Sequence, residues 1–141
     1  MTNEYNLKRF LDAQAASYEQ ALAEIKAGRK RGHWMWYIFP QIQGLGFSEI
    51  SQHYAISGLA EAAAYLQHPV LGARLVGICE ALLGLESSDA NRVFGSPDDL
   101  KLKSSMTLFA ALPGAPPVFA AVLAKFFRGV RDGKTLQLLD R

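Results

Sequence analysis

Apolar residues along this chain recur with a helical period, and polar residues fill the opposite side of each turn. Leu7, Phe10 and Leu11 follow Asn6, a residue suited to cap the helix that carries them. Ser17 with Gln20 reads as a capping box for a second helix, SYEQALAEIKAG, with Leu22 and Ile25 on its apolar face and Gly28 as its stop. Pro40 disfavours helical geometry at Phe39, so residues 33–39 are expected as a single turn or an extended run. Ser48 can cap a short helix through Tyr54, and Ser57 opens GLAEAAAYLQ, ending near His68. Pro69 then opens a helix whose Leu71, Leu75, Ile78, Leu82 and Leu85 share one face.

The second half continues the pattern. SSDANRVFG reads as a helical turn ended by Gly95. Ser96-Pro97-Asp98-Asp99 is a start signal: a cap, a proline already at helical φ, and two acids near the positive helix end. That helix is expected to run toward Leu112. Pro116 and Pro117 precede VFAAVLAKFFRGV, with Phe119, Val122, Leu123, Phe126 and Val130 on one face, and KTLQLLD closes the chain as a short helix or docked tail. No alternating run makes a convincing strand. The expectation is an all-α fold, about seven or eight helices of mixed length around one core, in a single domain over residues 1–141.

Composition narrows the class. With 141 residues, 50% of them hydrophobic and 20% charged, the chain is globular and large enough for a real core. Its formal charge of +2 is small for a dedicated nonspecific nucleic-acid binder. The excess is local: Lys26, Arg29, Lys30 and Arg31 cluster, as do Lys125, Arg128 and Arg131. The single cysteine, Cys79, makes no internal disulfide and suits a reducing compartment. MTNEYNLKRF lacks an apolar signal core, and Pro113, Gly114, Pro116 and Pro117 break the longest apolar stretch. A cytoplasmic protein with no membrane partner is expected.

Candidate chemistry concentrates in RKRGHWMWYIFPQIQGLG, residues 29–46. Arg29, Lys30 and Arg31 follow a helix end, where cations interact favourably with exposed carbonyls. The same guanidinium groups can clamp a phosphate or carboxylate. His33 beside them can change charge near neutral pH. Trp34, Trp36, Tyr37 and Phe39 can anchor a core or wall a pocket for a flat ring. Gly44 and Gly46 permit a close backbone approach or simply a turn. On the helix beginning near Asp98, Lys101, Ser104 and Ser105 lie within one turn beside the buried stripe of Leu102, Met106 and Phe109. Its hydroxyls can bond back to the chain or line a pocket. His33, His53 and His68 lack metal spacing, so neither metal nor cofactor is expected. Cys79 on its apolar helix reads as inert. Glu49, Glu61, Glu80, Glu86, Asp98 and Asp99 include possible acids or bases, and spacing selects none.

Four stretches carry a family resemblance: GRKRGHWMWYIFPQIQGLGFSEISQHYAI, AAAYLQHPVLGARL, VFGSPDDLKLKSSMTLF and VLAKFFRGVRDGKTLQLLD. Through them the chain resembles, from Leu7 to Leu139, the bacterial family called domain of unknown function 1810 (DUF1810). The resemblance implies a mainly helical single domain and supplies no activity to carry over. The stretches contain His33, Trp34, Trp36, Gln41, Ser48, Tyr54, Asp98, Lys101, Ser104 and Ser105, several of which a helical core does not require.

The leading expectation is therefore one pocket for a small anionic ligand, nucleotide-like or a sugar phosphate. Arg29, Arg31 and Lys101 would hold the anion, and Trp34, Trp36 and Tyr54 would shape the cavity. Gln41, Ser48, Ser104 and Ser105 would add polar lining, and His33 would transfer protons. Catalysis, if present, would be hydrolysis or N-glycosidic cleavage of a nucleotide-like compound. The alternative is a protein-interaction module using exposed aromatic and basic residues. Weak nucleic-acid binding through residues 26–31 ranks below both. The oligomeric state is left open.

Overall fold

The structure is a computed structural model that describes residues 5–140. The first four residues of the stretch read as lacking a signal core, and Arg141, lie outside the described residues. Among the described residues nine helices follow one another: α1 Lys8–Lys26, α2 Met35–Ile38, α3 Glu49–His53, α4 Leu59–Gln67, α5 Leu71–Leu83, α6 Ala90–Phe94, α7 Asp98–Ala110, α8 Val118–Phe127 and α9 Gly133–Leu139. The all-α class stands. The number is close to the expected seven or eight: two expected N-terminal helices are one, while α2, α6 and α9, expected as turns or a tail, each form a helix of their own.

The largest departure is at the N-terminus, where two expected helices are one. Ser17 sits mid-helix, its hydroxyl 3.0 Å from that of Tyr37. Gln20 donates to Glu24 rather than reaching back to a cap. Ala13, Ala15 and Ala16 carry the helix through the supposed break, since alanine is the strongest helix former. Asn6 makes no side-chain cap either: the capping position is Leu7. Gly28 does end the helix, at φ +84°.

Other terminators follow the sequence closely. Ser48 accepts from Ser51 N and caps α3. Gly95 closes α6 at φ +74°. Asp98 and Asp99 open α7, although Pro97 rather than Ser96 occupies the capping position and the Ser96–Pro97 peptide is cis. The imidazole of His68 accepts from the backbone of Val70 and Leu71, which caps the start of α5. Val130, expected on the buried face of α8, is exposed. Arg128 adopts φ +55° and turns the chain away before that face can extend.

α1 packs on α5, α5 on α4 and α8, and α8 on α7. α7 also meets α4, α6 and α9, and Leu102 and every position from Ser104 to Phe109 are buried. Its hydroxyls therefore bond locally, Ser104 to the Leu100 carbonyl and Thr107 to that of Lys103. Ser105 is buried without a partner for its hydroxyl. α4 and α5 meet so closely that a β-carbon at Gly72 would lie 1.9 Å from the Leu66 carbonyl oxygen, which only glycine permits. Among the described residues, no helix is long and apolar enough to cross a membrane.

Candidate ligand cleft

Two polar networks build the site from beneath. In the first, buried Gln14 donates to the Tyr37 carbonyl at 2.8 Å and to the Tyr65 hydroxyl at 2.9 Å. With the Ser17–Tyr37 contact, this fixes the single turn α2 on α1 and so sets the direction of Trp36. In the second, Arg9 gathers the segment after α3: it donates to the carbonyls of His53 at 2.7 Å and Ala55 at 2.9 Å. Glu61 accepts from Arg9 at 2.9 Å and from Ser57 N at 2.8 Å. The Arg9–Glu61 pair is buried, with side-chain exposures of 11% and 5%. An unpaired charge there would be costly, so the pair locks the segment in place.

Between these anchors runs an extended pairing. Ile56 N donates to Gln41 O and Gln43 N to Ile56 O, both at 2.8 Å, forming an isolated parallel bridge between Ile42 and Ile56. Gly44 then turns at φ +107°, pressed against the Leu138 side chain of α9. At Gly46 a β-carbon would come within 2.7 Å of the Ser51 hydroxyl. Both glycines thus serve packing of the loop itself.

The result is a cleft of about 260 Å³, walled by the α2 turn, the 41–46 loop, the end of α3, the first turns of α7 and the start of α9. Trp36, Gln41, Tyr54, Lys101 and Ser104, chosen from distant parts of the sequence, all line it. Lys101 is its electrostatic centre. The ammonium lies 4.5 Å above the centre of the Trp36 ring and 3.2 Å from one oxygen of Asp98. The other Asp98 oxygen holds Lys30 at 2.8 Å, so one carboxylate serves two cations. Tyr54 packs 5.2 Å from Tyr37, and burial, with Tyr37 second, pushes its phenol above the ordinary range and keeps it neutral.

The remaining candidates lie elsewhere. Trp34 is buried, its indole N–H donating to Glu24 at 2.9 Å. The backbone N–H groups of Arg31 and Gly32 donate to the same carboxylate oxygen. Burial alone would raise this acid, but these bonds and one from Gln20 outweigh it and bring Glu24 down to about 2. Arg31 and His33 are exposed and outside the cleft's lining. Arg29 borders a separate polar hollow between the end of α1 and α6, beside Asn91 and Arg92. Ser48 is exposed and capping, and Ser105 is in the core. Cys79 is fully buried, which pushes its thiol up and leaves it protonated.

Several cleft residues escaped the sequence reading: Gln43, Ser51, Leu100, Asp132 and Lys134. Asp132 carried a signal. It caps α9 by accepting from Thr135, and its own N–H donates to Thr107, which docks the terminal helix against α7. An Asp three residues before a Thr at the head of a short helix marks such a cap. Which cavity it borders was not readable. For the buried pair, Glu61 four residues before Tyr65 on an otherwise apolar helix face was the available hint.

Comparisons with known proteins place the whole chain. A family model described as a protein of unknown function (DUF1810) matches residues 4–139. The crystal structure of the conserved hypothetical protein Rv1873 from Mycobacterium tuberculosis is similar at a TM-score of 0.96 and 48% identity, covering 99% of each chain. No protein with a curated description matches.

Proposed function

The chain belongs to the DUF1810 family, and from that premise we propose that its cleft binds one small organic anion. The observation that carries this reading is the placement of Lys101. Its ammonium stands at the wall of a preformed cavity, between the Trp36 ring and a carboxylate it shares with Lys30. Two cations on one carboxylate leave a net positive charge, and Lys134 and Asp132 in the same cleft offset each other. A positive surplus beside an aromatic wall favours an anion with an organic body.

The supporting shell is rigid for physical reasons already given. Buried Arg9–Glu61, the Ile42–Ile56 bridge and the tightly packed glycines hold the walls without a ligand, which lowers the ordering cost of binding. The test is a thermal-shift and calorimetric titration with inorganic phosphate, ribose 5-phosphate and adenosine monophosphate. A ligand that binds the folded state raises the melting temperature. Lys101→Met should abolish the shift in a protein that still folds. No shift with any of these three or with phenyl phosphate would refute the reading.

A further inference from the structure

Resting on the anion-cleft reading, we infer that the organic body of the ligand is a flat aromatic ring bearing one anionic group, not a polyhydroxylated sugar. The cleft's wall is mostly apolar, built by Trp36, Ile42, Leu45, Tyr54, Pro97 and Leu100. A sugar needs a hydrogen-bond partner for nearly every hydroxyl it buries. Some of the polar groups here are committed already. The Ser104 hydroxyl donates to the Leu100 carbonyl. The Ser51 hydroxyl donates to Ser48 O and accepts from the Ser48 hydroxyl. The Gln52 amide donates to Phe47 O, and an Asp132 oxygen holds Thr135. The Gln41 and Gln43 side chains, the Tyr54 hydroxyl, the Lys134 ammonium and the second Asp132 oxygen remain for a ligand, but the surface between them is mostly apolar.

Size agrees with chemistry. A cavity of roughly 150 Å³ accommodates benzene, so about 260 Å³ has room for one ring and its anionic substituent. Leu100 lines the cleft while 58% exposed, and Phe47, next to Gly46 of the wall, is 83% exposed. An apolar lip of this kind gains from covering by a ring and gains nothing from a sugar.

The experiment holds the anion constant and changes the body: calorimetry with phenyl phosphate, ribose 5-phosphate and inorganic phosphate, on the wild-type chain and on Leu100→Ser. Because Leu100 is exposed, the variant should keep its fold, checked by its melting temperature. Phenyl phosphate should bind at least about tenfold more tightly than ribose 5-phosphate. Leu100→Ser should weaken phenyl phosphate several-fold and ribose 5-phosphate clearly less. Ribose 5-phosphate binding as well as or better than phenyl phosphate would overturn the inference while the anion cleft stood. Binding of none of the three would remove the cleft reading together with it.

Discussion

Two lysine–tryptophan pairs flank one carboxylate, and they do different work. Lys30 lies 5.0 Å over Trp34, and Lys101 lies 4.5 Å over Trp36. Both ammonium groups are held by Asp98. The Lys30 side chain is 7% exposed and also donates to the Gly32 carbonyl, while its tryptophan is buried and bonded to Glu24. Lys101 and Trp36 instead border an open cleft. Identical chemistry becomes scaffold on one side and candidate site on the other. What separates them is which ring faces the core, decided by the single turn of α2.

The comparison breaks most visibly if the two tryptophans are removed in turn. Trp34→Ala should cost about 3–5 kcal/mol of stability, as expected for a large buried aromatic, and it also removes one of the hydrogen bonds to Glu24. Trp36→Ala should cost less, about 2 kcal/mol, because that ring is only partly buried. Denaturant unfolding measures both, and equal costs would show that the two sides are not distinct. The lysines should divide in the same sense with smaller effects. Lys30→Met should lose about 1–2 kcal/mol, less than for a fully orphaned buried charge because Asp98 keeps Lys101. Lys101→Met should change stability by less than about 1 kcal/mol while removing anion binding.

Acid titration sharpens the scaffold side alone. The Glu24 carboxyl is held at about 2 against an ordinary 4.5. In that window the unfolded chain binds the extra proton, so stability rises with pH there. The contribution is therefore complete above pH 4.5 and fades as pH falls toward 2. Glu24→Gln should flatten the loss of stability over that range, followed by melting temperature against pH. An unchanged profile would mean the carboxylate contributes nothing to the turn. The smallest effect expected is at the shared carboxylate. Asp98→Asn frees both lysines from their counter-charge, and anion affinity should rise a few-fold even as stability falls slightly. A fall in affinity would place Asp98 among the groups that orient Lys101.

Much of this division was legible in the residues, but not where it mattered most. Gly28, Ser48, Gly95 and the acidic start of α7 acted as the punctuation their chemistry dictates. Such signals are local, and local geometry decides them. Ser17 misled for a complementary reason: its hydroxyl found Tyr37 across the fold, so a capping residue became a mid-helix one. The same limit applied to the site. Trp36, Gln41, Tyr54, Lys101 and Ser104 converge, whereas Arg29, Arg31, His33, Trp34, Ser48 and Ser105 do not line the cleft. A run of cations and rings looks uniform in sequence. Only the packing of α2 on α1 sorts Trp34 inward from Trp36, and only tertiary docking brings Asp132 and Lys134 to the same hollow.

Since the chain contains two tryptophans, its own fluorescence tests the central claim directly. Phenyl phosphate titrated into Trp34→Phe, where Trp36 is the sole reporter, should produce a saturable change in emission. Trp36→Phe, which leaves Trp34 as reporter, should stay silent across the same range. A saturable response from Trp34, or none from Trp36, would contradict the assignment of the cleft as the binding site.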